Sequence, residues 1–219
     1  MTDGKRYYDA GDNIRGYWDA RHAAWAENPN WSTIQEKQDW FNVRFEHLLP
    51  PSFSKTGRPR IGKVLDYGCG CGLYAAPLVD RFWTYVGFDT STAALKIARE
   101  YYKQFPSLLK DMYFNEYSGE PGQWQAGMRE EYNLVVSITV LQHQPLEYRR
   151  AMIENIKTLL KPGGMYIGLE WAGHSEAYDM PPMAEDEWRK AWEPLVIERD
   201  NPADHPRWIE DNVWVARKD

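Results

Sequence analysis

Cysteine is scarce in this 219-residue chain: there are two, Cys69 and Cys71, with Gly70 between them. Side chains that close in sequence are poorly placed to bridge, so no disulfide framework is available and a reducing compartment is expected. Long apolar runs are also missing. That excludes a bilayer-spanning helix, while an apolar content of 43% excludes wholesale disorder. Nor is positive charge in excess, since 26 basic residues against 32 acidic ones leave a net charge of −6. A chain held on nucleic acid or anionic membrane by its overall field is therefore not favoured, and only a local basic patch could serve such a partner. The opening residues, Met1-Thr2-Asp3-Gly4-Lys5-Arg6, lead into Tyr, Asp and Asn rather than an apolar stretch, so no signal peptide is expected. These absences predict a soluble, cytoplasmic protein of one domain with embellishments, without repeats or low-complexity tracts.

What the chain does have is tryptophan, 11 residues of it, mostly near the two ends: Trp18, Trp25, Trp31 and Trp40, then Trp171, Trp188, Trp192, Trp208 and Trp214. Residues 11–48 read as two helices. Ile14, Tyr17, Trp18, Arg21 and Trp25 recur at helical spacing up to Pro29. A second run starts at Ser32, an N-cap candidate with Gln35 completing a capping box, and carries Trp40, Phe41, Phe45 and Leu48 on one face. This is a helical N-terminal cap over residues 1–50. A Pro- and Gly-rich linker at 51–60 follows, and then a core from 61 to 219.

The core alternates. Ile61–Asp66, Tyr85–Asp89, Glu131–Ile138 and Met165–Leu169 read as buried strands, and Leu73–Phe82, Ser91–Phe105 and Pro145–Leu160 as helices between them. Strand, helix, strand, helix predicts an α/β fold with a parallel sheet covered on both faces. The last third predicts a helix at Glu185–Trp192 and two strands, Leu195–Arg199 and Trp208–Ala216, joined as an antiparallel pair.

The chemistry is concentrated in Val64-Leu65-Asp66-Tyr67-Gly68-Cys69-Gly70-Cys71-Gly72, a strand ending in an acid, followed by a glycine-rich turn into a helix. Glycines let a ligand approach the backbone, and the helix start offers free amide donors. The dinucleotide fingerprint G-x-G-x-x-G fails from Gly68, where Leu73 takes its last place. From Gly70 it survives in the G-x-G-x-x-A form with Gly72 and Ala75, so the glycines leave a dinucleotide open. No Gly-Lys-Ser/Thr of a P-loop is present. The acid discriminates: Asp66 would repel phosphates and favour a cation. A ligand with an amine and a sulfonium and no phosphate, S-adenosylmethionine, fits. Asp89 ends the next strand, where a carboxylate can accept hydrogen bonds from both ribose hydroxyls.

These elements resemble the class I S-adenosylmethionine-dependent methyltransferases over roughly residues 60–217. The D-x-G-x-G-x-G loop matches the family's first motif and Asp89 its second. Tyr132–Ser137 resembles the fourth strand, although Asn133 stands where the family often has Asp. Val140-Leu141-Gln142-His143 matches the common continuation, and Leu159-Leu160-Lys161-Pro162-Gly163-Gly164 the turn before the fifth strand. The third strand departs, with Tyr113-Phe114-Asn115-Glu116 where Asp and a small residue are usual.

The resemblance implies a Rossmann-like, doubly wound, mostly parallel sheet with an antiparallel C-terminal hairpin. It also implies S-adenosylmethionine as cofactor, S-adenosylhomocysteine as its product, and a small-molecule acceptor. By the same carry-over, Asp66 and the backbone of Gly68, Cys69 and Gly70 hold the methionine end, Asp89 the ribose and Thr90 the adenosine. Asn115 or Glu116 meets the adenine amine, and Ser137 lines the sulfonium side. Trp18 and Arg21, in Tyr17-Trp18-Asp19-Ala20-Arg21, resemble a pattern in which an arginine reaches the methionine carboxylate. His143 is the catalytic candidate, either a general base or a loop histidine bonded to backbone. The cap and an insertion near 171–188 would form the acceptor pocket. No metal site is expected, and Cys69 and Cys71 read as small turn residues. Methylation of a macromolecule and a non-methylating relative are the alternatives. The first lacks the Asn/Asp-Pro-Pro-aromatic tetrapeptide, Ser137-Ile138-Thr139-Val140 standing in its place.

Overall fold

The computed structural model describes residues 14–27, 31–117, 129–144, 146–171, 184–199 and 211–219. The chain forms two compact units, Met1–Ser118 and Gly119–Asp219. Among the described residues the fold class read from the pattern holds, with seven strands, mostly parallel, and an antiparallel pair at the C-terminal end.

In the first unit, β1 (Lys63–Tyr67), β2 (Thr84–Asp89) and β3 (Met112–Glu116) run parallel with β2 in the middle. Buried on both faces, β1 and β2 bring Val64, Leu65, Tyr85, Val86 and Phe88 into the core. The register sets Tyr67 beside Phe88 and Asp89 beside Glu116, so the carboxyl ends of all three strands finish along one edge. Helices α1 (Ile14–Ala26) and α2 (Trp31–Phe45) precede the sheet, and α4 (Ala75–Val79) and α5 (Thr92–Tyr102) connect its strands. A short α6 (Pro106–Leu109) leads into β3.

Several boundaries moved for local reasons. Ser32 lies inside α2, which starts one residue earlier, so it is not the cap expected. The helix expected over 73–82 shrinks to α4 because the glycine turn continues to Tyr74. The linker contains one helical turn, α3 (Phe53–Thr56), with Ser52 as N-cap and left-handed Gly57 after it. Asp80 ties this turn down by accepting from the backbone N–H and hydroxyl of Ser54, at 3.0 and 2.9 Å.

In the second unit the order is β4 (Tyr132–Ile138), β5 (Leu160–Trp171), β7 (Asp211–Arg217) and β6 (Val196–Arg199). Helix α7 (Leu146–Leu159) connects β4 to its parallel neighbour β5, and α8 (Glu185–Trp192) precedes the terminal pair. Strand β5 starts earlier than expected, because Lys161-Pro162-Gly163-Gly164 stays in the ladder with a register shift at Tyr132/Leu134. Trp188, Trp192 and Trp214 are buried together, ring against ring. Most of the 171–188 insertion, and Trp208, lie outside the described residues.

Candidate functional site

In the first unit the glycine loop is pinned by its neighbours. Gly68 and Cys69 donate their N–H groups to the Phe88 carbonyl at 2.8 and 2.9 Å, and Gly70 donates to the Asp89 carboxylate at 2.8 Å. The other Asp89 oxygen accepts from Ser91 N–H at 2.8 Å. Gly70 sits at φ +52°, where side chains are strained, and a Cβ there would meet nothing nearer than His22 Nε2 at 3.9 Å. A Cβ on Gly72, at φ +72°, would stand 3.0 Å from the Phe114 ring, so this glycine serves packing while Gly70 leaves an open cradle. Tyr102 closes the far side of the loop. Its hydroxyl donates to Gly72 C=O at 2.9 Å and accepts from Ala76 N–H at 3.2 Å.

Asp66 is placed beneath the loop rather than on it. Only 1% exposed, it accepts from the Tyr85 hydroxyl at 2.8 Å. Burial pushes its carboxyl from the ordinary 3.8 up to about 7; the Tyr85 bond opposes the shift and the Asp89 charge adds to it. Burial also raises Asp89, against its two amide donors. Two carboxylates of this kind, starved of counter-charge, favour a cation. The Cys69 and Cys71 thiols are buried and pushed up, Cys71 to about 12, so both stay protonated as inert turn residues.

Helix α1 carries a face the motif reading missed. Arg15, Asp19 and His22 recur at i, i+4 and i+7, one side of a helix. Arg15 pairs with Glu116 at the end of β3. Asp19 accepts from the Ser91 hydroxyl at 2.8 Å and Ala93 N–H at 3.1 Å, while Ser91 accepts from Ala94 N–H at 3.1 Å. Two free amides of α5 are thereby capped, one by an anion at the positive end of its dipole. Burial works against the Asp19 charge, yet these bonds and Arg15 outweigh it and hold the carboxyl below its usual range. Trp18 is half-buried against Tyr17 and His22, and Trp25 packs on Cys71, Ala94 and Ile97. Arg21 is exposed and lies over the Trp18 ring, 6.0 Å from its centroid. Thr90 is half-buried in the turn after Asp89; Asn115 and Glu116 are exposed at the end of β3.

The Asp19 cap makes a measurable claim. Asp19→Ala is expected to lower stability by about 1–2 kcal/mol, hence the melting temperature by roughly 2–8 °C. Asp19→Asn, which keeps an acceptor, should lose less. Thermal melts followed by circular dichroism read the difference, and equal losses would deny the cap.

In the second unit, Ser137, one residue before the end of β4, is wholly buried and donates its hydroxyl to Glu170 at 3.0 Å. Glu170, buried near the end of β5, also accepts from the N–H groups of Leu141 and Gln142 at 3.3 and 3.0 Å. Burial raises its carboxyl to about 7 against those bonds and the Arg149 charge. Buried Arg149 takes the carbonyls of Gln144 and Gln142 at 2.7 and 3.1 Å. The 3₁₀ turn Leu141–His143 is therefore held through both its donors and its acceptors, with His143 half-buried on it. Thr139, just before, stands at φ +56°, a strained setting for a β-branched residue, fastened by its N–H to Leu169 C=O at 2.7 Å. Neither Glu170 nor Arg149 belongs to the motifs. An acid near the end of an apolar strand was the one sequence signal for Glu170, and Arg149 had none. Among the described residues no group of three His, Cys, Asp or Glu could hold a metal ion, and no helix is long and apolar enough to cross a membrane.

The open glycine cradle, with an acid gripping it from the next strand, lies at the carboxyl ends of parallel strands, where open α/β sheets bind ligands. Comparison with known proteins shows what the chain is similar to. Residues 65–166 match the family model of the methyltransferase domain. A ubiquinone biosynthesis O-methyltransferase from Ruegeria pomeroyi is 32% identical over 115 residues, 51% of this chain and 42% of that protein. The mitochondrial ubiquinone biosynthesis O-methyltransferase of Mus musculus is 29% identical over 155 residues, 69% of this chain and 40% of that protein. The chain thus spans about two fifths of the length of these curated relatives. The crystal structure of magnesium protoporphyrin IX methyltransferase from Synechocystis PCC 6803 with bound S-adenosylhomocysteine has the same fold. Its TM-score is 0.67 at 17% identity, covering 94% of this chain and 98% of that one. Over residues 65–166 the chain is thus similar to the methyltransferase domain, and its fold is that of the S-adenosylhomocysteine-bound structure. The residues present are compatible with S-adenosylmethionine. Gly70 leaves room for a ligand against the backbone, and a cationic group there would favour the ionised forms of Asp66 and Asp89, both raised by burial.

Proposed function

We propose that this chain catalyses methyl transfer from S-adenosylmethionine to a small-molecule acceptor by in-line displacement. The observation that carries the reading is the Asp89 carboxylate holding the Gly70 amide at an open cradle. When bound, the cofactor supplies a methyl carbon activated by its sulfonium. Asp89, whose oxygens each keep a lone pair beyond the amide they hold, accepts from ribose hydroxyls. Gly68, Cys69 and Gly70 offer backbone to the methionine end, with Asp66 as the buried counter-charge beneath them. Thr90, Asn115 and Glu116 stand toward the adenosine, and Trp18 belongs to the helix above. Arg15 now competes with Arg21 for the charged role on that helix. Ser137 acts through Glu170, its proton being spent there, and His143 is the base where an acceptor must lose a proton. Most of the rate then comes from positioning. A small-molecule acceptor is supported by the relatives named for ubiquinone biosynthesis and by the absence of net positive charge.

S-adenosylhomocysteine at 100 times its dissociation constant is expected to stabilise the protein by about 2.7 kcal/mol. The melting temperature should rise by about 5–10 °C, and NAD should produce no rise. Asp89→Ala should remove most of the shift. A methyl-transfer assay on extracts, with and without nuclease, then sorts the acceptors. No shift with the thioether sinks the assignment, and nuclease-sensitive transfer sinks the small-molecule reading.

A further inference from the structure

The ring of His22 is oriented by its own helix. Its Nδ1 lies 2.9 Å from the Trp18 carbonyl, and a carbonyl can only accept, so Nδ1 carries the proton. In the neutral ring Nε2 is then a bare lone pair. Among the described residues Nε2 takes no hydrogen bond. It lies 3.9 Å from where a Gly70 Cβ would stand, over the open side of the cradle, and the Asp89 carboxylate is close enough to act on it. Burial disfavours the imidazolium and prevails. Asp89 and Asp19 pull toward the charged form, and Arg21 adds to the effect of burial. The Asp89 oxygens have already taken the available backbone donors, Gly70 N–H and Ser91 N–H. Two acceptors, one carboxylate and one imidazole, thus converge at Gly70 with no donor between them among the described residues. Such an arrangement is unfavourable alone and favourable around a group bringing two O–H donors.

We propose that His22 is a ligand-binding residue of the cofactor site, its Nε2 accepting from one hydroxyl of the nucleoside's vicinal diol while Asp89 accepts from the other. This rests on the S-adenosylmethionine reading above and adds to it a residue outside the loop motifs. Arg15 and Asp19 precede His22 along the same helix face and fasten the helix to the end of β3 and the start of α5. The acceptor is therefore held in place before ligand arrives, which limits the ordering cost of binding.

The test is calorimetric binding of S-adenosylhomocysteine and its 2′-deoxy and 3′-deoxy counterparts to the full chain. Wild type should bind the diol about tenfold more tightly than at least one deoxy compound. His22→Ala should lose about that factor for the diol and no longer distinguish that deoxy compound, whereas His22→Gln, which keeps an acceptor, should restore part of the discrimination. Melting temperatures without ligand check that the variants fold. If His22→Ala keeps the wild-type ratio between diol and deoxy ligands, whatever its absolute affinity, His22 serves packing and the proposal is overturned. If wild type binds no S-adenosylhomocysteine at all, the cofactor reading falls and takes this one with it, an outcome distinct from the first.

Discussion

Replacing His143 by alanine is expected to lower turnover by roughly 10²–10⁴-fold while leaving S-adenosylhomocysteine affinity nearly unchanged. The expectation rests on how much structure is invested in the turn that carries this residue. Glu170 takes the turn's amide donors, Arg149 its carbonyls, and Thr139 enters it in a left-handed conformation. A left-handed β-branched residue costs on the order of 1–3 kcal/mol and persists where the surroundings over-determine it. A turn held this rigidly can present one side chain within hydrogen-bond reach of an acceptor. If His143 removes a proton, the loss should fall on kcat and shrink for an acceptor that is already deprotonated. Glu170→Gln, which keeps one acceptor of two, should lower kcat by less and leave the melt cooperative. A His143→Ala variant with wild-type kcat would assign the histidine to structure, and the clamp with it.

The second large effect concerns stability. Asp66 is raised from 3.8 to about 7 by burial, so between those values the folded chain retains a proton that the unfolded chain has released. Across that window each unit of rising pH favours unfolding by up to about 1.4 kcal/mol. The Asp66 contribution is greatest below pH 4 and is lost by about pH 7. Asp66→Asn removes the charge and keeps an acceptor for the Tyr85 hydroxyl. The unliganded variant should therefore match wild type near pH 4 and exceed it by on the order of 2–4 kcal/mol at pH 8. Glu170, also raised to about 7, gives a similar slope that this variant keeps, so the comparison isolates one acid. Urea unfolding of both proteins from pH 4 to pH 8 measures the difference. S-adenosylhomocysteine should narrow it, because an ammonium near the loop favours the ionised Asp66. A variant less stable than wild type at pH 8 would mean that Asp66 is held ionised by charge the structure does not show.

What could be read without the fold was local. Asp66 to Gly72 is one contiguous span in which glycine spacing, an acid and a helix start state their chemistry together, and Asp89 ends the next strand in the same way. Alternating apolar runs and helices likewise determined an α/β architecture with a parallel sheet, because burial on both faces demands apolar strands. What only the tertiary structure decided is which distant groups meet. Asp19 caps a helix more than 70 residues away, and Tyr102 returns to Gly72 across 30. Glu170 reaches Ser137 across 33. No local signal encodes such pairs, since strand register and helix rotation set them. The N-terminal helix shows the point most sharply. Sequence resemblance singled out Arg21, yet the residues turned toward the strand ends are Arg15, Asp19 and His22. Successive residues of a helix lie about 100° apart, so one step along the chain turns a side chain to a different face. The choice of face came from Asp19 finding the start of α5 and Arg15 finding Glu116, contacts that exist only once the sheet has aligned its carboxyl ends.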